Sequence, residues 1–137
     1  MLNELQRRRV SLTLLGLEED LHDIEEHLKR GDYRGILYGI TNDIPSPTRD
    51  AMISKMTLIK EKISELSERF SLRGETEMLS REIFGKMSVI WVSLEETKAG
   101  RLRGYGGVAE ELHDLLDPAL DEIIVLLEEI RQALSNT

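Results

Sequence analysis

Apolar residues recur at intervals of three and four along four stretches of the chain, the spacing that places them on one side of an α-helix. The first stretch runs from Leu2 to Lys29 with a stripe of Val10, Leu14, Leu17, Leu21, Ile24 and Leu28, and Gly31 stands where a helix C-cap is expected. The second opens at Ser46-Pro47, a capping residue before a proline suited to the first helical position, and carries Met52, Met56, Ile59, Ile63, Leu66 and Phe70 up to Gly74. The third, Glu75 to Lys98, has Ile83, Phe84, Met87, Ile90, Trp91 and Leu94. The fourth, Val108 to Leu134, has Leu112, Leu116, Ala119, Ile123, Leu126, Leu127, Ile130 and Leu134.

The apolar phase of the fourth stretch continues across Pro118, which predicts one helix kinked at the proline in preference to two separate ones. No strand alternation competes. The long connection from Gly31 to Pro45 is expected to hold a short extra helix. Four amphipathic helices, the middle two joined by a tight turn at Gly74, predict an all-α, antiparallel up-down-up-down four-helix bundle, with residues 1–137 as a single domain.

Apolar residues also lie off these stripes: Leu5, Leu12 and Leu15 in the first helix, Val89 and Val92 in the third, Ile124 and Val125 in the fourth. Second apolar faces on three helices predict burial against a second copy, since twofold homodimers are the commonest soluble assembly, or against another helical protein.

Composition narrows the function classes. With no cysteine, thiolate catalysis, zinc–thiolate sites and disulfide scaffolds are excluded, and a cytoplasmic protein is expected. The basic Arg7–Arg9 run is followed by an apolar stretch soon broken by acids, so no signal peptide is expected. No apolar run approaches the roughly 20 residues that span a bilayer. A net charge of −8 and few aromatic rings oppose nucleic-acid binding, which depends on neutralising phosphates and stacking bases.

Two segments carry Glu-x-x-His, the helical spelling of a carboxylate-bridged metal site: Glu19 with His22, and Glu110 with His113. Helical phase decides against an inward site. At about 100° per residue, His22 lies roughly 125° from its stripe, His113 roughly 90°, and both glutamates stand on the far side. The expected reading is solvated i, i+3 and i, i+4 pairs, with no cofactor. The alternative is a carboxylate–histidine metalloprotein or metal-dependent hydrolase, its motifs turned inward between subunits. "EELHDLL", with Glu111 and Asp114, is similar to the second half of the ExxE and ExxD pair by which all-helical pyrophosphatases of MazG type hold magnesium. The ExxE pair here, Glu65 and Glu68, is separated from it by the whole third helix, and both pairs face away from their stripes.

In an up-down-up-down bundle the first and third loops share one end. Those loops contain Arg30, Tyr33, Arg34 and Tyr38 in one, and Arg101, Arg103 and Tyr105 in the other. Guanidinium forks, phenol hydroxyls and free backbone amides are the groups that receive an anionic ligand or an acidic partner segment. The expectation is therefore a non-enzymatic helical-bundle protein acting through protein interaction or ligand sensing.

Overall fold

The computed structural model describes residues 1–136 and is mostly helical. The chain divides into two compact units, Met1–Glu75 and Thr76 onward.

The first unit is a helical hairpin with a β-arm in its connection. Helix α1 (Glu4–Arg30) starts at Asn3, whose Oδ1 accepts from the Gln6 backbone N–H while the Gln6 side chain accepts from the Asn3 N–H. This reciprocal pairing satisfies two of the donors that every helix start leaves open. At the other end the Gly31 N–H returns to the His27 carbonyl, and the chain leaves through a positive φ of 71° that glycine adopts without steric cost. Helix α2 (Ser46–Phe70) packs back along α1. Leu21 and Met56 are buried between them, flanked by Val10, Leu14, Leu28, Ile59, Ile63 and Leu66 at partial exposure. The Lys60 ammonium of α2 pairs with Glu25 of α1 beside this seam.

Two expectations are corrected within this unit. The Gly31–Pro45 connection contains two antiparallel strands, β1 (Tyr33–Arg34) and β2 (Gly39–Ile40), with Tyr33 opposite Ile40 and Arg34 opposite Gly39. Strands of two residues are too short to produce a readable alternation. The second correction concerns the end of α2. The helix stops at Phe70, short of the expected end at Gly74, and Ser71 takes the left-handed conformation, φ 51° and ψ 51°. Its N–H reaches the Glu68 carbonyl and that of Leu72 reaches Ser67, so the last carbonyls are capped without a glycine.

The second unit is another helical hairpin. Helix α3 (Leu79–Glu96) begins four residues later than periodicity indicates; residues 72–78 take no helical or strand pattern, and Met78 at the N-cap is extended, φ −82° and ψ 121°. A 3-10 segment (Ala99–Tyr105) connects it to α4 (Glu110–Ser135), and Pro118 lies inside that continuous helix. Leu120, Ile124 and Ala99 are buried where α4 meets α3 and the 3-10 segment. Arg131 closes the far end of the seam, its guanidinium 4.5 Å from the Phe84 ring centre and its Nη1 paired with Glu128.

Helix α4 exchanges two expected faces. Ile124, assigned from sequence to an outer interface, is 9% exposed and belongs to the seam with α3, whereas Ile123, Leu126 and Ile130 of the expected core stripe stay 44%, 58% and 45% exposed. These two faces lie about 100° apart around the helix. Leu17 and Ile24 on α1, and Ile53 and Leu58 on α2, are likewise left open.

Candidate functional site

The β-arm is built to hold one shape. At its base the Asp32 carboxylate accepts from the Asn42 N–H at 2.6 Å, and the Asn42 side chain in turn accepts from the Ile44 N–H at 3.1 Å. At its tip the Gly35 N–H donates to the Tyr38 carbonyl at 2.7 Å. A Cβ at position 35 would stand 2.9 Å from that same oxygen and 3.1 Å from the Tyr33 hydroxyl, so the close turn requires glycine. Tyr33 and Tyr38 pack with ring centres 5.7 Å apart, tilted by 44°. Between them Ile36 and Leu37 are both fully exposed. Arg30 precedes the arm and Arg34 lies on β1; neither guanidinium has an ion pair among the described residues.

The other arginine–tyrosine group lies on the 3-10 segment of the second unit. The buried Ala99 N–H donates to Asp117 Oδ1 at 2.8 Å, and Asp117 Oδ2 is 3.5 Å from Nδ1 of His113 one turn earlier on α4. Lys98 reaches Asp121 at 2.7 Å and Glu95 at 3.1 Å, and the hydrogen bond to Asp121 leads in raising its pKa above the ordinary lysine value. The segment is thus tied to α4 through its backbone and Lys98, leaving Arg101, Arg103 and Tyr105 exposed and without ion pairs among the described residues. The expected anion-binding residues are therefore divided between the units, Arg30, Tyr33, Arg34 and Tyr38 in the first and Arg101, Arg103 and Tyr105 in the second.

The Glu-x-x-His residues fall as helical phase indicates for Glu19 and His22, both exposed on α1. Glu110 is an exposed first-turn residue of α4, where a negative charge complements the helix dipole. His113 is half-buried and engaged by Asp117. Among the described residues no three carboxylate or imidazole side chains converge as a metal-ligand group.

Of the off-stripe apolar residues, Leu5, Leu12, Val89, Val92 and Val125 are exposed, Leu15 is half-buried, and Ile124 is enclosed as described. No described helix is long and apolar enough to cross a membrane. Sequence reading missed one further feature, a cavity of about 570 Å3 in the first unit lined by Arg7, Arg8 and Arg73. Its only linear trace is the Arg7–Arg9 run, because Arg73 joins it through the turn at Ser71. Comparison with protein-family models, curated proteins and solved structures finds no match.

Proposed function

We propose that this chain is a non-enzymatic helical-bundle protein that self-associates and acts through protein interaction or ligand sensing. One observation carries the reading: the apolar surface that the two hairpins leave uncovered. Among the described residues only Leu21, Met56, Ala99, Leu120 and Ile124 are buried, and the accessible surface is 11302 Å2. Two separate compact units of these lengths would together expose about 8,800 Å2 by the usual scaling of area with mass. The excess, about 2,500 Å2, is more than the ~1,200–2,000 Å2 that a standard stable protein interface removes from water.

The distribution of this surface favours a four-helix bundle. A helix in such a bundle buries two adjacent faces, one on each neighbour, and each helix here has one packed face and further apolar residues beside it. The open stripes of Leu17 and Ile24 in one hairpin, and of Ile123, Leu126 and Ile130 in the other, supply the second face of an antiparallel up-down-up-down arrangement. Leu5, Leu12, Val89, Val92 and Val125 then remain for a second copy. Burial of apolar area at about 25 cal/mol per Å2 supplies the drive. In that arrangement the β-arm and the 3-10 segment share an end, where their arginines would meet an anionic ligand. A chain without cysteine suits a reducing compartment such as the cytoplasm.

Sedimentation velocity over a hundredfold concentration range tests the reading. The wild-type chain is expected to sediment as a dimer, and Leu12→Glu with Val89→Glu to yield a monomer of unchanged helicity. A wild-type chain that stays monomeric throughout removes self-association.

A further inference from the structure

The arginine-lined cavity of the first unit lies between the N-terminal turns of α1 and the segment that follows α2. Arg7 and Arg8 come from α1. The left-handed turn at Ser71 redirects the chain after α2, so that Arg73 lines the same cavity. Three arginines therefore line one concave space in a protein whose net charge is −8. Their pairing is incomplete. Arg7 has one ion pair, Nη1 to Glu4 at 3.5 Å, while its Nε is buried without a hydrogen-bond partner. Arg8 and Arg73 have no ion pair or side-chain hydrogen bond among the described residues. Ser11 and Ser71 also line it.

We propose that this cavity binds a small phosphate-bearing anion. Guanidinium is planar, always charged and presents paired N–H donors that match two phosphate oxygens, so unpaired arginines across a cavity form a receptor for that group. The volume falls within the ~300–1,000 Å3 typical of small-molecule sites. A soluble small molecule fits better than an extended polyanion, because the overall negative charge repels a membrane surface or nucleic acid while a recess concentrates the local positive field. Glu4 and Glu75 also line the space. Glu4 holds Arg7, and Glu75, an acceptor only, selects a ligand whose phosphate is accompanied by a hydroxyl donor over a more highly charged polyphosphate. This points to a phosphate monoester of a hydroxylated compound.

The test is isothermal titration of the full chain with glycerol phosphate and inorganic phosphate at constant ionic strength, with backbone amide NMR shifts as a second readout. Glycerol phosphate is expected to bind saturably, more tightly than inorganic phosphate, with the largest shifts at Ser71, Arg73 and Gly74. Arg8→Ala with Arg73→Ala should weaken binding at least tenfold at unchanged circular dichroism, since neither guanidinium supports the helices. Glu75→Gln should narrow the preference for glycerol phosphate. Arg30→Ala with Arg34→Ala should leave both affinities unchanged. A folded wild-type chain showing no saturable binding overturns the proposal, as does binding that survives loss of Arg8 and Arg73 or is abolished by loss of Arg30 and Arg34.

Discussion

The Glu25–Lys60 pair is a side-chain tie between α1 and α2, and it makes the first unit sensitive to acid. The hydrogen bond from Lys60 leads in holding the Glu25 pKa below its ordinary 4.5. A carboxyl depressed on folding stabilises fully above its unfolded pKa and loses that contribution as pH falls through the folded value. Lys60→Met should therefore lower stability to urea at pH 7, and the difference from wild type should vanish at a pH below the folded pKa. Lys98 has the opposite sign. Its raised pKa gives a contribution that is complete at neutral pH and is lost as pH climbs through the folded value, so Lys98→Met should lose its destabilising effect in strong alkali. Asp117 combines two tasks, accepting from the buried Ala99 N–H and facing His113. Asp117→Ala leaves that amide unsatisfied and should cost about 1–3 kcal/mol in equilibrium unfolding. At this scale the sequence was partly legible. The outward direction of Glu19 and His22 followed from phase alone, whereas the engagement of His113 depended on Asp117 reaching back to the preceding segment.

Among the elements, helix existence was readable and helix orientation only in part. Val10, Leu14, Leu21 and Leu28 line the packed side of α1 as their spacing indicates. In α4 the run "IIVLL" places apolar groups on every side, so periodicity had no contrast from which to select a face. Packing against α3 selected the Leu120–Ile124 face. The consequence is measurable: Ile124→Ala should cost about 2–5 kcal/mol, as truncation of a buried aliphatic does, and Val125→Ala within about 0.5 kcal/mol for unfolding of the monomeric chain. Urea denaturation of the two single variants checks the contrast, and equal effects would return the packed face to ambiguity. The β-arm and the cap at Ser71 were illegible for a different reason. Each depends on one or two residues whose preference is weak in isolation and is fixed by hydrogen bonds to neighbours.

At the scale of the molecule, the stretch between α2 and α3 is the exposed boundary of two hairpins. Residues 72–78 have no helical or strand hydrogen-bonding pattern, and most are exposed. Backbone of that kind is where proteases cut first, so brief trypsin treatment should cleave after Arg73 before any arginine within the helices. Glycerol phosphate should slow that cut if the cavity holds it, which mass spectrometry of the digest would read directly. The arginine cavity was invisible in linear sequence because its members are separated by nearly all of α1 and α2. Only the tertiary return of α2 along α1 brings residue 73 to residues 7 and 8.

The hairpin architecture also sets an order in time. Within each unit the packed elements are neighbours in the chain, α1 with α2 and α3 with α4. Contacts between helices adjacent in the chain close early because loop-closure entropy grows only slowly with loop length, and helical proteins dominated by such local contacts fold in microseconds to milliseconds. Covering the remaining apolar faces between copies, as proposed, would instead be a bimolecular event whose rate rises with protein concentration. Refolding followed by stopped-flow circular dichroism should thus show a fast phase independent of concentration. Tryptophan fluorescence from Trp91, on a half-open face of α3, should add a slower phase that accelerates on dilution into more concentrated chain. During the interval between them the self-associating chain would be helical but still adhesive, and that interval is the time at which crowding would divert it into aggregates.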